Sequence, residues 1–217
     1  AIQHNTSDSQ QITSFEVEHI LRTLKNTSPG NDGIPAWVFK SCSFELAEVA
    51  ATLFNQSINS GCVPAQWQTA IVTPVPKVDR PMHVTDYRPI SVTPILSRMA
   101  ERLIAKKYIL PSLNLFDFKD QYAFKQTGST TCALVNILHI VTQRLEHNNF
   151  VRCLLIDFSR AFDVIYRSIL LQKIVNLGLP HYIESWIRSF LSNHRQTVVC
   201  NGINSQEMLI NLGVIQG

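Results

Sequence analysis

The stretch VRCLLIDFSRAFDVI, Val151 to Ile165, decides the fold. Five of its first six residues suit a buried strand, yet that run ends in a carboxylate, Asp157, and a second acid follows at Asp163. Burying an unpaired carboxylate costs several kcal/mol or shifts its pKa. An acid driven onto the end of an apolar strand therefore implies a cation for it to meet. Taken alone, Asp157 has a second reading, as the cap of a helix that follows the strand.

The rest of the chain narrows the choice. Its 217 residues are 45% hydrophobic and 16% charged, enough for one large domain or two small ones with a real core, and unlike a disordered tail. The net charge of +3 is unevenly spread. Lys plus Arg stand against Asp plus Glu as 3 to 6 over residues 1–60, 10 to 6 over 61–150 and 6 to 4 over 151–217. The middle is the basic part, which suits a polyanionic partner as well as an ordinary solvated surface. Cys42, Cys62, Cys132, Cys153 and Cys200 are odd in number and form no C-x-x-C pair, against a zinc site or a disulfide framework. No apolar run approaches the roughly 18 residues of a membrane span, and no signal peptide stands at the start. The expected setting is intracellular, nuclear or cytoplasmic, and the N-x-[ST] triplets at Asn5, Asn26 and Asn55 read as chance matches.

Periodicity and turn chemistry place the elements. Thr13 and Glu16 form a capping box for a helix over 13–26 with Val17, Ile20, Leu21 and Leu24 inward. SPGNDGIP (28–35) is a loop, and a second helix covers 44–59 and ends near Gly61. TAIVTPVPK (69–77) is extended, and its prolines predict an edge strand. A helix over 94–109 and another over 129–146 follow, the latter with Leu134, Ile137, Leu138, Val141 and Leu145 inward. After the strand to Asp157 come helices at 166–177 and 181–192, then a hairpin turning at Asn201-Gly202. The order predicts an α+β architecture.

Five blocks stand in a fixed order: SPGNDGIP (28–35), IVTPVPK…TDYRPISVTPILSRMAERLI (71–104), QYAFKQTGSTTCAL (121–134), DFSRAFD (157–163) and GVIQG (213–217). Together they resemble the reverse transcriptase domain of LINE-type, non-LTR retrotransposons over nearly the whole chain. The resemblance implies a right-hand polymerase fold, with fingers over residues 1–146 and an incomplete palm over 147–217. It implies an RNA-directed DNA polymerase that takes an RNA template, a DNA primer and deoxynucleoside triphosphates, using two Mg²⁺ ions in the complete enzyme. Nucleotidyl transfer needs such cations because the attacked phosphorus is surrounded by negative oxygens.

Site residues follow from the same blocks. Asp157 matches the first metal-binding aspartate of that family, so the resemblance implies that it is both catalytic and a metal ligand. Phe162 matches the aromatic ring that excludes a 2′-hydroxyl, with a core phenylalanine as the plain alternative. Arg88 in DYRPIS and Lys77 are candidates for the incoming triphosphate, where Arg forks onto two oxygens and Lys acts as a point charge. A solvated loop lysine is the other reading of Lys77. Gln216 and Gly217 match the start of the palm motif that lines nucleotide and template, with Ile215 standing where relatives have Pro. Phe124, Lys125, Ser129 and Thr130, beside a helix N-terminus, suit template phosphates, with an ordinary helix cap at Ser129 or Thr130 as the other reading, and the two are compatible. Asp163 is read as structural, capping the helix near 166 or pairing with a base. The basic run Arg98, Arg102, Lys106 and Lys107 fits a solvated helix face or a nucleic-acid track.

The family's next motif, aromatic-Ala-Asp-Asp, does not occur in these residues. The expectation is that this piece alone is inactive, with the remaining palm, a thumb and an endonuclease domain belonging to a parent polyprotein. The competing expectation is a non-catalytic RNA-binding remnant of a retroelement.

Overall fold

A computed structural model describes residues 11–113, 118, 120–124, 127–158 and 161–215. The chain divides into two compact units, residues 1–112 with 160–217 and residues 113–159. This division does not fall at 146/147, because helices and strands after residue 160 pack into the same unit as the N-terminal helices.

The larger unit begins with the expected cap. Thr13 Oγ1 accepts from the Glu16 N–H at 3.2 Å, and the Glu16 carboxylate accepts from the Thr13 N–H at 2.9 Å. Helix α1 (Ser14–Arg22) follows with Val17 and Leu21 buried. Helices α2 (Ala36–Ser41) and α3 (Ser43–Ser60) come next, and α3 ends on Gly61 in the left-handed region, φ 62°. Helix α4 (Ile95–Ile104) buries Ile95, Met99 and Leu103, then runs through a π turn (Ala105–Ile109) into the short α5 (Leu110–Ser112). Helices α7 (Arg167–Val175) and α8 (His181–Leu191) close the unit's helical layer. Phe54, Trp67, Ile95, Met99, Ile183 and Trp186 share one core, where Trp186 Nε1 donates to Ser57 Oγ at 2.9 Å.

Strands β1 (Thr69–Pro76), β2 (Tyr87–Val92), β3 (Arg195–Cys200) and β4 (Ile203–Asn204) lie in the order β2-β1-β3-β4, with β5 (Met208–Leu209) also on β3. The β3–β4 hairpin turns at Asn201-Gly202, both with positive φ (51° and 78°), as the sequence predicts. The edge position predicted for β1 is wrong. β1 pairs antiparallel with β2 and parallel with β3. Its prolines are tolerated because the parallel ladder covers Thr69 to Val72 and stops before Pro74 and Pro76.

The smaller unit holds helix α6 (Thr130–Leu145) and the chain around it. Two expectations fail here. The apolar face of α6 is uncovered: Leu134, Ile137, Leu138 and Leu145 are exposed, and no residue of the helix is buried. The strand to Asp157 does not form. Residues 151–158 are irregular, with Leu154 and Leu155 85% and 89% exposed. A strand needs a ladder partner, and no described strand pairs with this run.

Candidate nucleotide and nucleic-acid site

The β1–β2 hairpin presents Arg88 and Lys77. Arg88 lies in β2 opposite Val75, exposed, with no ion pair among the described residues. Lys77 follows β1, and its Nζ donates to the Thr85 carbonyl at 2.8 Å while its backbone N–H donates to the Asp86 carbonyl at 2.7 Å. The Asp86 carboxylate accepts from the His83 and Met82 N–H groups, each at 2.9 Å, and these bonds hold its pKa below the usual carboxylate range. The loop between the strands is thus tied to itself, and the ammonium of Lys77 is held by its own loop.

A second group forms where residues 162–167 meet the turn at Gly213. The Phe162 carbonyl accepts from the Val214 N–H at 3.0 Å, the Ile165 carbonyl from the Gly213 N–H at 2.9 Å, and Arg167 Nε donates to the Gly213 carbonyl at 2.9 Å. Gly213 has φ 80°, and a Cβ there would stand 2.8 Å from the Asp163 carbonyl oxygen. Only glycine fits. Phe162 is 39% exposed and is not a core residue. A cavity of about 300 Å³ opens between Pro89 and Ser91 of β2, Asp163, Arg167, Gln196 and the 213–215 turn. The structure therefore brings the Phe162 segment, β2 and the GVI turn together; Gln216 and Gly217 lie outside the described residues. Asp163 does not cap a helix, because α7 starts at Arg167 behind Tyr166. It lines the cavity instead, with no salt bridge to Arg167.

The remaining candidates belong to the smaller unit. Asp157 is exposed, and its Oδ1 accepts from the Phe158 N–H at 2.9 Å. Ser129 caps α6, its Oγ accepting from the Cys132 N–H at 3.0 Å, and Thr130 is the first helical residue. Phe124 is 93% exposed with φ 57°, while Lys125 lies outside the described residues. Among the described residues no group of three His, Cys, Asp or Glu side chains is placed to hold a metal ion. One exposed carboxylate does not make a metal centre, so the described donor set does not fit a two-ion site.

Sequence reasoning missed the polar cluster behind the GVI turn. A cavity of about 260 Å³ there is lined by Thr93, Arg98, Glu101, His194 and the same 213–215 turn. Burial pushes the Glu101 carboxyl up to about 7, against a hydrogen bond from Ser97 Oγ (3.2 Å) and the charge of Arg98. His194 is 2% exposed, and burial, with the nearby charge of Arg167, pushes its pKa down. Arg98 Nη2 donates to the Ser28 carbonyl at 2.9 Å, while its Nε is buried without a partner. The signal was present in part, since Glu101 stands four residues after Ser97 beside the Met99–Leu103 stripe of α4.

Comparison with known proteins bears on what these groups serve. Residues 75–217 match the family model for reverse transcriptase (RNA-dependent DNA polymerase). Over 210 residues the chain is 28% identical to the RNA-directed DNA polymerase from mobile element jockey of Drosophila funebris, covering 95% of this chain and 23% of that protein. It is 27% identical over 212 residues to the probable RNA-directed DNA polymerase from transposon X-element of Drosophila melanogaster, with the same two coverages. It is 24% identical over 207 residues to the retrovirus-related Pol polyprotein from type-1 retrotransposable element R2 of Popillia japonica, covering 95% of this chain and 28% of that one. The chain spans about a quarter of the length of these curated relatives. With the family model matched over most of its residues, in the motif order described above, the chain belongs to the reverse transcriptase (RNA-dependent DNA polymerase) family, in the branch carried by non-LTR retrotransposons.

Proposed function

We propose that this chain is the fingers (1–146) and the start of the palm (147–217) of an enzyme that copies RNA into DNA inside the cell, in the nucleus or the cytoplasm. The observation that carries this reading is the junction of Phe162 and the Gly213–Ile215 turn beside β2, around a cavity of about 300 Å³. In this reading Arg88 and Lys77 neutralise the triphosphate of the incoming nucleotide. Phe162 stands under its sugar, and Gln216 and Gly217 line the base and template. Phe124, Lys125, Ser129 and Thr130 hold the template strand's phosphates, and the DNA primer enters through the rest of the parent protein.

Enzymes of this family use divalent metal ions, proposed here as two Mg²⁺ that offset charge on the reacting phosphate. Asp157 is the ligand this chain is proposed to contribute. Further ligands are proposed to come from the remaining palm, which with a thumb and an endonuclease domain completes the parent polyprotein. No reaction step is assigned to this chain by itself.

Primer extension on an RNA template tests the reading. The 217-residue chain yields no product, whereas the parent protein extends the primer. In the parent, Arg88→Ala lowers kcat/KM for the nucleotide by about tenfold to a hundredfold, the loss of a charge-assisted phosphate contact. Product from the short chain, or an unchanged kcat/KM, overturns it.

A further inference from the structure

A trough runs between α1 and α4, on residues that none of the proposed polymerase contacts uses. One cavity, of about 410 Å³, lies among Phe15, His19, Arg102 and Lys106. A second, of about 350 Å³, lies among Leu24, Lys25, Arg98 and Met99. Ile20, Thr23 and Arg102 line both, so the two are continuous. The floor is apolar and the rim is basic. His19, Lys25, Arg102 and Lys106 are all exposed, and none of the last three is ion-paired among the described residues. The one acid on the trough, Glu16, is already taken by Lys107 at 3.2 Å and by the Thr13 cap. Glu101, on the same helix, lines the cavity shared with His194 and neither of these two. Phe15, 77% exposed, offers an aromatic face at one end.

Fixed positive charge along a groove, with an exposed ring beside it and no competing acid, is the chemistry that holds a single nucleic-acid strand. The cations take the phosphates, and the ring takes a base. We infer that the α1–α4 trough is a second nucleic-acid site that binds single-stranded RNA through Lys25, Arg102 and Lys106, with a base stacked on Phe15. Only the choice of RNA over DNA rests on the polymerase reading. The site is separate from the residues proposed for template, primer and nucleotide, and its occupant would be a stretch of RNA not being copied.

The test is fluorescence anisotropy of the 217-residue chain with a labelled, unstructured 16-nucleotide RNA at several salt concentrations. Lys25→Gln/Arg102→Gln/Lys106→Gln should weaken binding by about tenfold or more at 50 mM salt. It should also flatten the log–log salt slope by about 2, as expected for three phosphates at about 0.7 each. A control with the same loss of charge at exposed positions elsewhere, Lys40→Gln/Lys173→Gln/Arg188→Gln, should change affinity less than about threefold and leave most of the slope. Phe15→Ala should cost about fivefold or more, the low end of one base stack. Should the trough triple variant melt early, single Lys25→Gln and Lys106→Gln variants decide, each flattening the slope by about 0.7. The inference is overturned by absence of RNA binding, by equal effects of the two triple variants, or by DNA, single- or double-stranded, binding as tightly as the RNA. Each of those outcomes leaves the polymerase reading standing, because that reading is measured by nucleotide incorporation in the parent protein.

Discussion

Replacing Glu101 by glutamine isolates one partly buried carboxyl against an otherwise unchanged fold. In the folded chain the carboxyl is pushed from 4.5 to about 7, chiefly by burial. At about 1.36 kcal/mol per tenfold change in proton affinity, the gap corresponds to about 3 kcal/mol. The sign is set by linkage. A carboxyl with a raised folded pKa contributes its stability fully below pH 4.5 and loses it as pH rises through about 7. Glutamine keeps the shape and the hydrogen bond from Ser97 while removing the proton equilibrium. Wild type and Glu101→Gln should therefore be about equal at pH 4.5, with the variant more stable by about 3 kcal/mol at pH 8. His194 works the other way, because its depressed folded pKa costs stability as pH falls below about 6.5. It is present in both proteins, so the difference between them reports Glu101 alone. Urea unfolding followed by tryptophan fluorescence is suitable, since Trp67 and Trp186 lie in the core of the larger unit. Parallel stability curves from pH 4.5 to 8, or a variant that is less stable at pH 8, would refute the burial assigned to this carboxyl.

Other outcomes follow from single positions. Phe162→Val in the parent polymerase should relax discrimination against ribonucleotides by about tenfold or more, read from the ratio of kcat/KM values for matched nucleotides; an unchanged ratio removes the sugar-sensing role. Gly213→Ala puts a Cβ 2.8 Å from the Asp163 carbonyl oxygen at a φ of 80°. It should cost about 2 kcal/mol or more, lowering the melting temperature of the chain by about 4–8 °C. Thr13→Ala removes one half of the α1 capping box and should cost about 1 kcal/mol, a fall of about 2–4 °C by circular dichroism.

What the sequence made legible was local. The Thr13–Glu16 box, the Ser129 cap, the Gly61 stop and the Asn201-Gly202 turn all form where read, since each depends on residues within four positions of one another. The failures depend on partners distant in sequence. Pro74 and Pro76 predict an edge for β1, but its parallel ladder ends at Val72, before either of them. The apolar spacing along α6 and the apolar run over 151–156 predict burial, but burial also requires an element to pack against. Of the candidate site, Arg88, Lys77 and Phe162 were visible as motif residues. The bond from Arg167 to Gly213 joins residues 46 apart and left no local trace. The Glu101–His194 cavity is likewise an outcome of α4 and the residue before β3 approaching the same turn.

The uncovered run from Val151 to Ile156 carries a practical liability. It is rich in β-branched and leucine side chains, has one charge, Arg152, and contains neither proline nor glycine. Short segments of that kind, left in the open, stack against copies of themselves. The isolated chain should therefore self-associate as its concentration rises. A single lysine in place of Leu155 should keep it dispersed without touching the core of the larger unit.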